Sequence, residues 1–289
     1  GRSLLPCCSS LQGKEMDSPL QKWLLATLKR WLGVRDTTPS WSILRECGLD
    51  PLQFNWFCAA IRLYNSFTRC NSITVRKVLQ ADIHLSSSSC DCWSSHIFSA
   101  MNGLVNSGQF QHNMMNCEPI NLRQFVVDLR SRQVNYWTQF SGSSPGEQNS
   151  KHRTFHQWCA LPLRSIAAAH VPYQVPKYFY HALPKDVLRN VARFRLRVHA
   201  LRQETSTWMQ GSSTHCDLCH DEDRIQDEKH AIFHCTHPHV VALRGKYASL
   251  FINQEAQNVR DFLMQDNNKF PFFLYETVTF YEQASSRAF

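Results

Sequence analysis

Apolar residues recur along most of the chain at intervals of three and four, and proline and glycine separate the runs. Ser18-Pro19 opens a first helix, with Ser18 as cap and Pro19 at the first helical position. Leu20, Trp23, Leu24, Thr27, Leu28, Trp31 and Leu32 follow at helical spacing, and Gly33 stops the element. Thr38-Pro39 repeats this grammar for a second helix with Trp41, Ile43, Leu44 and Cys47 on its apolar side, ended by Gly48. Asp50-Pro51 opens a longer one. Leu52, Phe54, Trp56, Phe57, Ala60, Ile61, Tyr64 and Phe67 make it apolar nearly all round, which predicts a central position. Ser72 caps a shorter helix with Val75, Val78 and Leu79. Asp91 opens another through Trp93, Ile97, Phe98 and Met101, ending near Gly103. Residues 105–120 show no period and are read as irregular. Asn121 then caps a helix carrying Leu122, Phe125, Val126, Leu129 and Trp137.

The second half begins at a Ser/Gly-rich stretch, residues 141–150, the clearest linker in the chain. A helical run over about 151–170 is split by Pro162. Residues 171–184 hold three prolines with Tyr173, Tyr178, Phe179 and Tyr180 between them. They read as an extended aromatic connector that packs on the core or stacks on bases. Pro184 starts a helix predicted to run to Leu201, with Val187, Leu188, Val191, Phe194, Val198 and Leu201 on one side. Helices around 240–251, 259–264 and 271–281 follow. No segment has the alternation of an extended sheet. The expected fold class is mainly α, multi-helical, with a small C-terminal zinc-knuckle module. The expected division is a loose lead-in (1–17), a helical domain (18–140), a linker (141–150) and a helical C-terminal domain (151–289).

Cysteine spacing adds chemistry to this picture. Cys216-Asp217-Leu218-Cys219 is followed by His230 and Cys235, giving Cys-x2-Cys-x10-His-x4-Cys. Two Cys two residues apart close a turn around a zinc ion. A His and a Cys about one helical turn apart supply the remaining tetrahedral corners. Cys216, Cys219, His230 and Cys235 are therefore the first-choice ligands within a knuckle at 215–239, with His234 as an alternative to Cys235. Four protein ligands imply a structural rather than a catalytic zinc site. The competing readings are buried thiols beside surface histidines, a redox Cys-x2-Cys pair, and a catalytic zinc with Glu228 as base. A second metal site at His112 and Cys117 is the weakest of these.

Composition sets the remaining bounds. At 289 residues, with 43% hydrophobic and 19% charged, the chain is foldable rather than disordered. No apolar run is long enough for a membrane helix, so no membrane association is expected. Twelve cysteines would suit a secreted disulfide framework. However, three sit at zinc spacing, and Cys47, Cys58 and Cys159 fall in apolar helical patterns, which points to a reducing, intracellular compartment. The net charge of +8 points to an anionic partner. Arg189, Arg193 and Arg197, spaced by four, with Arg195 and Arg202 nearby, are the candidate phosphate contacts, because the guanidinium fork makes paired charge-assisted hydrogen bonds. An ordinary solvated face, paired with Asp221, Glu222 and Asp223, is the alternative. The chain begins Gly-Arg rather than Met, which suggests a fragment or a gene model cut at its start.

The run from Val191 to Leu201, Val-Ala-Arg-Phe-Arg-Leu-Arg-Val-His-Ala-Leu, precedes Glu204, Trp208, Cys216-x2-Cys219, Asp227-Glu228-Lys229-His230, Cys235, Leu243-Arg244 and Tyr247. In that order it resembles the C-terminal end of non-LTR (LINE-type) retrotransposon polyproteins, after the reverse transcriptase. Upstream, Trp31-Leu32-Gly33-Val34-Arg35, Thr38-Pro39, Leu44-Arg45-Glu46-Cys47-Gly48 and Pro51-Leu52 resemble the helical segment after the polymerase palm. Together these stretches cover most of residues 20–285. No Asp-Asp pair is present, so the family's polymerase is not expected here, nor is its endonuclease. The resemblance implies a non-enzymatic, zinc-containing tail that binds nucleic acid, RNA rather than DNA, in a nuclear or cytoplasmic ribonucleoprotein, with other retrotransposon-derived proteins as further partners. A helical protein-interaction scaffold and a non-functional relic of an element are the alternatives.

Overall fold

The computed structural model describes residues 18–86, 92–102, 104–142, 155, 158, 175–206, 213–219, 221–252 and 258–286, with backbone only for 133–142, 221–223 and 285–286. The expected lead-in (1–17), most of the linker, the run over 151–170 except Phe155 and Trp158, Trp208 and His220 lie outside them. The fold is mainly helical. The helices are α1 (Pro19–Leu32), α2 (Ser40–Glu46), α3 (Leu52–Arg69), α4 (Ile73–Ser86), α5 (Trp93–Met101), α6 (Ser107–Met115), α7 (Leu122–Gly142), α8 (Lys185–Arg195), the single turn α9 (Arg202–Thr205), α10 (Pro238–Lys246), α11 (Val259–Leu263) and α12 (Phe270–Ser286). No helix among the described residues is long and apolar enough to cross a membrane.

Two compact units form, one from residues 1–24, 49–148 and 162–173, the other from 25–48, 149–161 and 174–289. This differs from a division at the linker, because residues 25–48 join the C-terminal unit. The cause is local chemistry within that unit. Trp31 stacks on Phe179 at 5.7 Å between centroids. Glu46, fully buried, accepts hydrogen bonds from Arg195 Nε (2.6 Å) and from the Tyr178 hydroxyl (2.5 Å).

In the first unit α3 is central, as its composition predicts, but it keeps one wet face. Phe54, Phe57, Ile61 and Tyr64 are buried, whereas Arg62, Leu63 and Arg69 are exposed. They pack with Leu79, Ile97, Met101, Phe110, Met114, Phe125 and Leu129 into one core. Asp50 does not cap α3. Its carboxylate pairs with Arg130 at 2.7 Å, and Gln21 Oε1 accepts the Leu52 amide instead at 2.8 Å. Residues 107–115, expected to be irregular, form α6. Its buried contacts are Phe110 and Met114, a single i, i+4 pair in an otherwise polar run, too few to register as a period.

Ser18 caps α1 as expected, its Oγ accepting from the Gln21 amide at 3.2 Å. Thr38 does not cap α2. It is buried, and the helix begins one residue after Pro39 without a side-chain cap. At their C-termini α1, α6 and α8 close in the same way, with a left-handed residue and an amide bonded five residues back. Gly33 (φ 67°), Cys117 (φ 54°) and Arg197 (φ 54°) occupy the left-handed position. The closing bonds are Val34 N to Lys29 O (3.0 Å), Glu118 N to Asn113 O (2.7 Å) and Val198 N to Arg193 O (2.7 Å). Cys117 is half-buried, and among the described residues no group of three or more metal-ligating side chains includes it. Because a side chain at positive φ costs on the order of 1 kcal/mol, Cys117→Gly is expected to stabilise the protein by about 0.5–1 kcal/mol. Urea denaturation showing no gain, or a loss, would contradict this account of the α6 terminus.

In the C-terminal unit α8 packs on α12. Phe194, Val191, Phe262, Phe270, Phe273 and Leu274 fill its interior. Phe233 and Phe251 meet Phe262 edge-on and tilted at 5.6 and 5.3 Å. The helix expected over 240–251 ends at Lys246 and continues as a 3₁₀ turn, Ala248–Leu250.

Candidate metal centre

A two-stranded antiparallel hairpin, β1 (His215–Cys216) and β2 (Asp221–Ile225), frames the Cys-x2-Cys turn, with His215 opposite Ile225 and Cys216 opposite Asp221. The sequence showed no strand signal here, since an acidic Asp-Glu-Asp run is disfavoured in strands. The hairpin carries Cys216 and Cys219. The next two ligands come from a π-helical turn, His230–His234, ended by Cys235. Asp227 Oδ1 accepts the His230 amide at 2.7 Å, and the Cys235 amide bonds to His230 O at 2.8 Å. This i to i+5 closure brings His230 and Cys235 to one side of the turn.

The ligand atoms of Cys216, Cys219, His230 and Cys235 all lie within 4.8 Å of one another. Tetrahedral zinc with its usual bond lengths would place S···S and S···N edges at about 3.5–3.8 Å. His230 Nε2 already stands 3.4 Å from Cys219 Sγ. Cys235, and not His234, belongs to the cluster. Cys216, Cys235 and His230 are buried and Cys219 half-buried. The cluster can therefore hold a metal ion. The eight cysteines among the described residues are all free thiols.

The electrostatics suit a thiolate site. Cys216 is pushed down to about 2, chiefly by its hydrogen bond with Cys235 and further by His230 and Gln226, against the opposing effect of burial. The same contact pushes Cys235 up, so one proton is shared by the pair. Gln226 is buried and touches three pieces of the module. Its Nε2 approaches Cys216 Sγ at 3.5 Å, its Oε1 accepts the Arg202 amide at 3.0 Å, and its own amide bonds Thr214 O at 2.8 Å. Arg244 donates to Cys235 O at 2.5 Å, which places a cation beside the thiolates. Tyr281, buried on α12, has its phenol pushed up by burial and by the neighbouring Cys235. Gln226 and Tyr281 have no spacing that marks them, and Arg244 was marked only as part of the resemblance; only the tertiary structure brings them to the cluster.

The five candidate phosphate contacts go elsewhere. Helix α8 ends at Arg195, and Arg197 has left-handed backbone, so the stripe at intervals of four breaks after Arg193. Arg195 is 2% exposed. It pairs with Glu46 and donates to Leu263 O at 2.8 Å. Arg197, also buried, pairs with Glu204 and with Glu228 (3.0 Å) and lies over the Trp158 ring at 5.8 Å. His199 Nε2 meets the same Glu228 at 2.9 Å. The assignment of Arg195 and Arg197 to a phosphate surface is corrected: both neutralise buried carboxylates. Arg193 pairs with Glu282 at 3.1 Å. Arg189 donates to Trp31 O (2.9 Å) and Arg30 O (3.1 Å), where the C-terminal carbonyls of α1 attract a cation. Arg202 pairs with Asp217. Arg189, Arg193 and Arg202 remain half-exposed. Of the aromatic connector, Tyr178 is buried against Glu46 and Phe179 is stacked on Trp31, so both pack on the protein, while Tyr180 is exposed. In comparisons with known proteins, no family model, no curated protein and no solved structure matches the chain.

Proposed function

We propose that Cys216, Cys219, His230 and Cys235 bind one zinc ion, and that the protein is a zinc-stabilised nucleic-acid-binding tail, with RNA preferred to DNA. It is of the kind that follows the polymerase in LINE-type retrotransposon polyproteins. The observation that supports it most is the convergence of three thiols and one imidazole, from two different elements, to within 4.8 Å of one another. With four protein ligands the zinc keeps no position for water, so its role is structural. The net charge of +8 suits a polyanion. The ordered motif from Phe194 to Tyr247 carries the likeness to the retrotransposon tail; within it Arg197 pairs with Glu204 and Glu228 in the interior, and Arg195 pairs with the buried Glu46.

One zinc per chain is expected in the purified protein, together with RNA affinity that falls steeply as salt rises. Metal analysis and fluorescence anisotropy on wild type and Cys219→Ser test both parts. Metal-free wild-type protein would remove the zinc reading. Zinc binding without salt-dependent RNA binding would leave a zinc-stabilised interaction scaffold. A specific observation favours that second reading for the C-terminal unit, since all five arginines of the predicted stripe have intrachain partners.

A further inference from the structure

The first unit holds an open cleft of about 700 Å³, lined by Arg62, Asn65, Arg69, Ile120, Asn121 and Arg123 among others. Three of these are arginines, all exposed, and none has a carboxylate partner among the described residues. The five arginines of the predicted stripe are all engaged, so this cleft concentrates positive charge that the fold itself does not use.

The walls are fixed before any ligand arrives. Asn65, buried, makes two hydrogen bonds with the backbone of Ile120: its Nδ2 donates to the carbonyl and its Oδ1 accepts the amide, each at 2.8 Å. The Tyr64 hydroxyl donates to Glu118 O at 2.9 Å. These bonds tie the segment before α7 to α3. Asn121 caps α7, its Oδ1 accepting from the Gln124 amide at 3.1 Å. As at any helix start, the amides of the first turn have no acceptor one turn back, and the positive end of the helix dipole faces the same space as Arg123.

Spacing selects the ligand. Arg62 and Arg69 are seven residues apart on α3, so they share a face and are separated by about 10 Å of helix rise. Two cations so placed match phosphates repeated along a chain better than one small anion, and neighbouring phosphates of one nucleic-acid strand can meet both. We propose that this cleft is a phosphate track for a single nucleic-acid strand, with Arg62, Arg69 and Arg123 each contacting a backbone phosphate. This rests on the nucleic-acid-binding reading and names where the strand would lie, in the first unit and away from the metal ligands.

The test uses the full chain, a short fluorescein-labelled oligouridylate, and the triple variant Arg62→Ala/Arg69→Ala/Arg123→Ala. The expected result is a loss of affinity of about tenfold or more at moderate salt, with the slope of log affinity against log salt reduced by about 2. Lys77→Ala, an exposed cation on α4, should bind as wild type does. The arginines are exposed, so the triple variant should keep its circular dichroism and its metal content. Unchanged affinity and slope in the triple variant would overturn the proposal. So would displacement of the oligonucleotide by inorganic pyrophosphate at equal phosphate concentration, which would make the cleft a small-anion site. Failure of the zinc reading would show separately, as metal-free wild-type protein that still loses oligonucleotide in the triple variant.

Discussion

If the C-terminal cluster holds zinc as proposed, removing the ion, with a chelator or through Cys219→Ser, is expected to abolish cooperative unfolding of the C-terminal unit. Structural zinc binding is worth on the order of 10 kcal/mol in small modules. That is comparable to the whole stability of a typical domain. The ligands come from separate pieces: the hairpin brings Cys216 and Cys219, and the π turn brings His230 and Cys235. Without the ion, the contacts that join those pieces around the cluster include Gln226 at Cys216, Arg244 at the Cys235 carbonyl, Cys219 at His230 and the Cys216–Cys235 contact. Hydrogen exchange gives the sharpest readout. Amides of residues 230–235 and of α12 should lose protection on chelation, while those of α3 and α7 keep theirs. Equal protection with and without metal would mean that the cluster does not hold the module. Zinc needs deprotonated thiols and a neutral imidazole, so metal should be retained at neutral pH and released as pH falls.

The second large effect is expected at a position that sequence spacing assigned to phosphate. Arg195→Met should destabilise the protein by about 3–5 kcal/mol, because it leaves the fully buried Glu46 carboxylate without its cation. Arg195 also satisfies Leu263 O and lies over the Tyr178 ring at 5.6 Å. Adding Glu46→Gln to Arg195→Met removes the stranded charge and keeps an acceptor for the Tyr178 hydroxyl, so the double variant should recover much of the loss. Thermal or urea unfolding of both variants decides the matter. If Arg195→Met unfolds like wild type but binds RNA more weakly, the buried pair is wrong and Arg195 is a surface contact after all. The same logic warns against reading RNA affinity from charge reversal of Arg197, which also neutralises buried acids.

The helix starts at Pro19 and Asn121 were legible because a capping side chain acts within three residues of its own position. The stop at Gly33 was legible because glycine adopts positive φ at little cost. The equivalent stops at Cys117 and Arg197 were not, because a residue with a side chain reaches that conformation only when long-range contacts hold it there. Arg197 has such contacts in Glu204 and Glu228. Missing that stop carried the α8 pattern past its true end and produced an arginine stripe that the fold does not contain.

The metal candidates were readable from spacing alone, since ligands two residues apart, and a His and Cys five apart, are confined to one side of a turn by covalent geometry. The sequence by itself therefore determined the helical class, most helix starts and the four residues that gather in the cluster. Only the tertiary structure decided where the charges go. An arginine pairs with whichever carboxylate packing brings near, and Glu46 lies 149 residues from Arg195. It likewise decided that residues 25–48 join the C-terminal unit, and that Arg62, Arg69 and Arg123, with no carboxylate partner among the described residues, line one cleft from two helices that are distant in sequence and packed against each other in the fold.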